Sequence, residues 1–330
     1  MKKFLCAAAT LAAIGFTSTA QAQTVNVCVF DLLGKSGDAF KMAEDWKLAA
    51  KSWGADINLL PRQDERVAED DFKAGQCDGV FMTAMRGRTY NKFVGSIDSL
   101  GGIPNRAVAQ KVIPAVLSPK LAGDMVKTIG GKKYEVAGIT PLGAAYIFVR
   151  DKNINNIKKA AGKKFAVLSN DKTQEIMVEQ VGAQAIKSEI SNFAAKFNNG
   201  AVDIIGAPAY AYKPLEIEKG IKANGAMFNF PVLYITGNLI IRPEKFPEGF
   251  GQKSRAYHSQ NLKTGFDLIA KLEGGIPAKY KLNLAAADKL EYEKMLYEGS
   301  QRMVKEGYYD ARMVNLLKSA RCSVSKTYGC

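Results

Sequence analysis

Histidine is nearly absent: His258 is the only one in 330 residues. That scarcity excludes a histidine-rich metal centre and leaves imidazole catalysis to a single ring. Neither a Gly-x-Ser-x-Gly elbow nor a His-Glu-x-x-His pair occurs. Acidic residues are also short, 32 against 46 Lys and Arg, for a net charge of +14. The lysines are dispersed, with pairs at 132–133, 158–159 and 163–164 rather than a block. No basic helix with interleaved aromatics is present, so no nucleic-acid partner is expected. Long apolar runs are missing beyond residue 22. The longest candidate, 230–241, is interrupted by Gly237-Asn238 and falls short of the ~18 apolar residues of a membrane span.

What is present begins with an export signal. Lys2 and Lys3 precede an apolar stretch over 4–16, and Ala20-Gln21-Ala22 reads as a cleavage site. Residues 1–22 are therefore expected to be removed and the chain to reside in the periplasm. Cys6 lies inside the signal, leaving Cys28, Cys77, Cys322 and Cys330. An even count in an exported chain points to disulfides. Cys28 falls in the first expected strand and Cys77 just before the third, so Cys28–Cys77 is the first choice. Cys322–Cys330 would then close the tail. Metal binding is the alternative, but it lacks CxxC spacing and nearby histidines.

The organising stretch is 164–209. It reads as strand (165–169), helix (173–181), strand (183–186), a helix capped by Ser188, and strand (202–207) stopped by Pro208. Ile190, Phe193, Ala194 and Phe197 give that second helix one apolar face. The same order occurs over 25–83. Phe72, Gly75, Asp78 and Ala84 match Phe197, Gly200, Asp203 and Ala209 at identical spacing. Two lobes, each with a βαβαβ core, are expected. Further strands are predicted over 134–139, 144–149, 226–230 and 232–241, two of them crossing between the lobes with Gly237 as a flexible point. The C-terminal part is helical in character from 249 onward.

The run Gly162-Lys163-Lys164-Phe165-Ala166-Val167, then Val181-Gly182-Ala183, then Gly200-Ala201-Val202-Asp203 with Pro208 behind it, resembles the second lobe of the solute-binding proteins of tripartite (TRAP-type) transporters. Over its full length the chain is similar to the AdeT-like solute-binding proteins, a group associated with aminoglycoside efflux. The resemblance implies an α/β fold of the periplasmic binding protein type II kind. Lobe I would take 23–143 plus 237–270, lobe II 144–236, and helices over 271–330 would pack on both. It implies a small-molecule ligand between the lobes and an inner-membrane transporter as partner, with no cofactor and no catalysis. The alternative is a soluble accessory of an efflux assembly without its own ligand. TRAP-type binders hold a carboxylate with arginine where this chain has Ala166, and a second arginine aligns with Ala145. An asparagine of that family aligns with Ala207. A simple carboxylate is therefore not the expected ligand.

Ligands of open α/β sheets bind beyond the carboxyl ends of the strands. Those ends, with the crossing strands, give the candidate set Asp31, Ser36, Thr83, Arg86, Tyr146, Asn170, Tyr210, Tyr234 and Asn238. Tyr146, Tyr210, Tyr212 and Tyr234 are expected to enclose an amine with Asp31 as counter-charge, although for any single tyrosine core packing is the commoner role. Gly34-Lys35-Ser36 resembles a phosphate loop, but Val29 stands where the fingerprint needs glycine, so nucleotide hydrolysis is rejected.

Overall fold

The computed structural model describes residues 24–330; the expected signal lies outside them. Ten strands form one sheet: β1 (Thr24–Phe30), β2 (Asp56–Arg62), β3 (Gly79–Thr83), β4 (Val126–Ile129), β5 (Lys132–Val149), β6 (Lys164–Leu168), β7 (Gln184–Ser188), β8 (Ile204–Pro208), β9 (Ala226–Ile241) and β10 (Lys281–Leu282). Their order is β2-β1-β3-β9-β5-β8-β6-β7, with β4 on β5 and β10 on β9. The β1-β2-β3 and β6-β7-β8 trios are parallel inside themselves.

The two crossing elements are longer than the sequence reading gave. The strands expected over 134–139 and 144–149 are one strand, β5, and those over 226–230 and 232–241 are one strand, β9. They run antiparallel along most of their length. The ladder tolerates the interruptions by slipping register, including between Pro141 and Gly143. Pro141 has no N–H to give, and Gly143 adopts φ 107°, a conformation open to glycine. The C-terminal half of β9 pairs with β3, and the C-terminal half of β5 pairs with β8, so each long strand serves both lobes.

Helix α1 (Asp38–Lys51) buries Phe40, Ala43, Trp46 and Ala50 on one face. Trp46 meets Phe81 and Phe250 edge-on, with centroids 5.3 and 5.9 Å away, and its indole N–H donates to Ser254 Oγ at 2.9 Å. Helix α2 (Glu65–Ala74) is capped by Asp64 and ended by Gly75 at φ 83°. After β3, single helical turns lead to α3 (Arg106–Val116), which contains Pro114. In lobe II, α4 (Lys172–Gln180) is capped by Asp171. Helix α5 (Phe193–Asn199) starts later than expected. Ser188 is the last residue of β7 and its hydroxyl donates to Ile186 O, so it caps nothing.

The remainder is helical apart from β10: α6 (Phe250–Gln260), α7 (Leu262–Gly274), α8 (Ala286–Lys305) and α9 (Ala311–Val324). Tyr292, Leu296 and Met303 of α8 join the core around Ile147, Ile204 and Phe228. Met313, Leu317 and Ala320 of α9 join the core around Val108, Val112 and Ile113. Two disulfides are formed, Cys28–Cys77 and Cys322–Cys330. Among the described residues no helix is long and apolar enough to cross a membrane, and no group of three or more His, Cys, Asp or Glu is placed to hold a metal.

Candidate functional site

A hollow of about 190 Å³ lies where the lobes face each other. Phe30, Leu32, Thr83, Met85 and Leu100 border it from lobe I. Ile147 and Val149 of β5, Leu233 and Ile235 of β9, and Phe165 and Ile204 of lobe II continue it. Tyr292 and Leu296 of α8 close the far side. No residue around it carries a charge. A smaller hollow of about 120 Å³ adjoins it in lobe I, between the sheet and α1, α6 and α7, and includes His258.

Thr83, Gln174 and Tyr210 are engaged by the protein, whereas Tyr292 borders the larger hollow with no hydrogen bond from its hydroxyl to the described residues. Thr83 Oγ1 accepts from Arg86 N at 3.3 Å, and its own backbone N–H donates to Glu65 Oε1 at 2.6 Å. Gln174 accepts from Leu168 N and donates to Asp171 Oδ2. Tyr210 stands against the Asp31 carboxylate; burial first, then that charge, push its phenol far above the usual range. Asp31 is fully buried and accepts from the backbone N–H of Leu33 and Phe40 at 2.8 and 3.1 Å, tying the loop to the start of α1. Gly37 is required beside it, because a Cβ there would meet Asp31 Oδ1 at 1.8 Å.

Arg86 does not face the hollow. Its guanidinium donates to Glu65 at 2.9 Å, Glu69 at 2.7 Å and Glu189 at 3.4 Å. Burial raises the Glu65 pKa, with Arg86 opposing it. At Glu69 burial acts upward too, but Lys73 and Arg86 outweigh it and the pKa falls. The contact with Glu189 joins the lobes. So does the Arg88–Asp171 pair at 3.3 Å, with Tyr309 under the Arg88 guanidinium at 4.8 Å and donating to Thr173 Oγ1. The lobes are therefore closed on each other by ion pairs at the rim, around an apolar interior.

Of the nine candidate residues, Thr83 and Tyr210 border the hollow. Ser36 and Asn170 are exposed. Tyr146 donates to Glu273 at 3.1 Å, toward α7. Tyr234 packs in the lobe I core, and Asn238 is buried in β9 opposite Met82 and Ile139. Tyr212 stacks on Phe148 inside lobe II. The four tyrosines thus do not form one enclosure, because β5 and β9 turn successive side chains to opposite faces and send Tyr146 and Tyr234 away from Tyr210. Sequence reasoning missed the apolar wall, since Ile147, Ile204 and Leu233 read equally well as core. Gly206 was the available signal: a glycine inside a central strand, exposed between buried neighbours.

Comparison with known proteins agrees with this architecture. The family model described as solute-binding protein AdeT 1/2 matches residues 47–330. "Probable solute-binding protein AdeT1" of Acinetobacter baumannii is 45% identical over 89% of this chain and 95% of its own. "Probable solute-binding protein AdeT2" of the same organism is 32% identical over 69% of this chain and 94% of its own. Among solved structures, a TRAP periplasmic solute-binding protein from Desulfovibrio salexigens with bound orotic acid superposes with a TM-score of 0.69 at 15% identity, covering 92% of this chain and 99% of that one. One from Shewanella oneidensis with bound succinate also gives 0.69, at 11% identity, covering 90% and 98%. The fold is that of the TRAP periplasmic binding proteins, and the chain belongs to the AdeT 1/2 family of solute-binding proteins, which are not enzymes.

Proposed function

We propose that this protein is exported through a cleaved signal peptide and works in the periplasm as a receptor. It closes its lobes on a small molecule and presents it to an inner-membrane transporter. The observation that carries this reading is the hollow of about 190 Å³ lying between lobes that β5 and β9 connect. An accessory protein that had lost its ligand would be free to fill that space with its own side chains, and here it stays open. The orotic acid and succinate of the structural neighbours are anions, and they are not transferred to this chain. Ala166 and Ala145, the positions aligned with the arginines of carboxylate binders, offer no cation, and Arg86 is already paired with three carboxylates.

Native mass spectrometry of the chain purified from the periplasm without refolding tests the reading, followed by thermal-shift screening across acids, amines and neutral compounds. A co-purified molecule released on denaturation, or a shift with one chemical class, is the expected result. Ligand at a hundred times its dissociation constant adds about 2.7 kcal/mol, well within detection. An empty chain that no compound of the panel stabilises would move the assignment to the accessory role in an efflux assembly.

A further inference from the structure

We infer that the ligand is an uncharged, hydrocarbon-rich molecule of roughly ten non-hydrogen atoms, a size set by comparison with a 150 Å³ apolar cavity that holds benzene. The inference rests on the receptor reading above and adds the chemical class.

Three observations carry it. First, no charged residue borders the hollow. The nearest cations and anions are spent: Arg86 on Glu65, Glu69 and Glu189, Arg88 on Asp171, and Asp31 on the N–H groups of Leu33 and Phe40. A carboxylate or an ammonium entering this space would lose its water and find no counter-charge. Second, the hydroxyl of Thr83 and the amide of Gln174 already bond to the protein and Tyr210 stands against Asp31, which leaves the Tyr292 hydroxyl to meet a ligand; a molecule rich in hydroxyls, such as an aminosugar, would leave most of them unpaired. Third, Gly206 lies in the middle of β8 with β5 and β6 on either side, yet it is exposed. A Cβ there would meet nothing closer than Ile147 Cδ1 at 3.9 Å. The floor of the hollow is bare backbone flanked by Ile147 and Ile204, a surface on which a flat or chain-like hydrocarbon can lie.

The test uses naphthalene, succinate and spermidine with the mature chain. Naphthalene is followed by its own fluorescence in equilibrium dialysis, the other two by calorimetry. One naphthalene per chain, saturable and not displaced by millimolar succinate or spermidine, is expected. Gly206→Leu, which extends a side chain into the hollow, should weaken naphthalene at least tenfold while leaving the melting temperature within a few degrees. Should that chain not fold, Ala145→Leu, two residues before Ile147 on the same face of β5, fills the space with the same expected loss. Saturable binding of succinate or spermidine without naphthalene overturns the apolar class and leaves the receptor reading standing. Naphthalene binding that neither variant weakens overturns the site.

Discussion

Arg150 and Arg242 make the same contact in opposite lobes. Each guanidinium donates to the backbone carbonyl of a buried phenylalanine, Phe197 for one and Phe72 for the other, in the last turn of a helix that ends on a left-handed glycine. Each backbone N–H also donates to the aspartate carbonyl three residues past that glycine, Asp203 at 3.0 Å and Asp78 at 2.9 Å. Those aspartates in turn accept from the start of a parallel strand, at Lys164 N and Asn26 N. The repeated Phe, Gly and Asp of the two halves therefore encode one clasp, used twice.

Removing either arginine leaves a helix-end carbonyl without its partner. Arg150→Ala and Arg242→Ala should each lower stability by about 1–3 kcal/mol. Because the clasps share no partner, the double variant should equal the sum within about 0.5 kcal/mol. Urea denaturation of the four proteins measures this; a double variant no worse than either single one would show that the clasps are not independent.

Arg86 and Glu189 separate stability from closure. Arg86→Met leaves the buried Glu65 without a cation, while Glu69 keeps Lys73 at 2.8 Å, and should cost about 3–5 kcal/mol. Glu189→Gln leaves Arg86 with those two partners and removes one of the two ion pairs between lobes, Arg88–Asp171 remaining, so its cost should stay below about 1 kcal/mol. Small-angle scattering of Glu189→Gln without added ligand should show a larger radius of gyration than the parent. An unchanged radius would mean that this ion pair does not hold the cleft shut.

Asp98 and His258 give opposite pH dependences. Burial pushes the Asp98 carboxyl up to about 7, although Thr236 donates to it from both N–H and hydroxyl. Between about 4, the unfolded value, and about 7 the folded chain holds the extra proton, so this group's stabilisation is lost as pH rises. Burial lowers His258 to about 4. Between about 6.5 and about 4 the unfolded chain holds the extra proton, so here stability is lost as pH falls. Asp98→Asn should flatten the decline toward neutral pH, and His258→Leu the decline toward acid, in urea midpoints taken from pH 4 to 8.

The disulfides should differ in weight. Cys28–Cys77 spans 49 residues of separation and Cys322–Cys330 spans 8. Chain-entropy arguments put the first near ~4 kcal/mol and the second near ~2.5 kcal/mol as upper values. Replacing each pair by alanines and comparing melting temperatures tests the order; a larger loss at the C-terminal pair would reverse it.

Much of this architecture was legible. Gly75 and Gly200 marked helix ends because only a left-handed residue closes those turns. Cys28 and Cys77 can be paired from the sequence because the third strand of a doubly wound sheet lies close to the first, as β3 does to β1. The site was harder to read. Arg86 looked available because its partners, Glu65 and Glu69, lie 21 and 17 residues away on a different element. The tyrosines looked convergent because the sequence does not say where β5 slips register. An apolar residue facing a void and one facing a neighbour have the same composition, so the hollow was invisible until the lobes were assembled.

The sharing of β9 also sets an order of assembly. Lobe II can complete its sheet from one uninterrupted stretch, because the C-terminal half of β5, then β6 to β8, and the first half of β9 follow each other along the chain. Lobe I cannot: β3 waits for residues 237–241, more than 150 positions downstream, before it gains its antiparallel neighbour. The first lobe is thus the one whose loop closure comes late. A chain emerging N-terminus first would bring its second half to completion before its first, with the Cys28–Cys77 bond holding β1 near β3 in the interval.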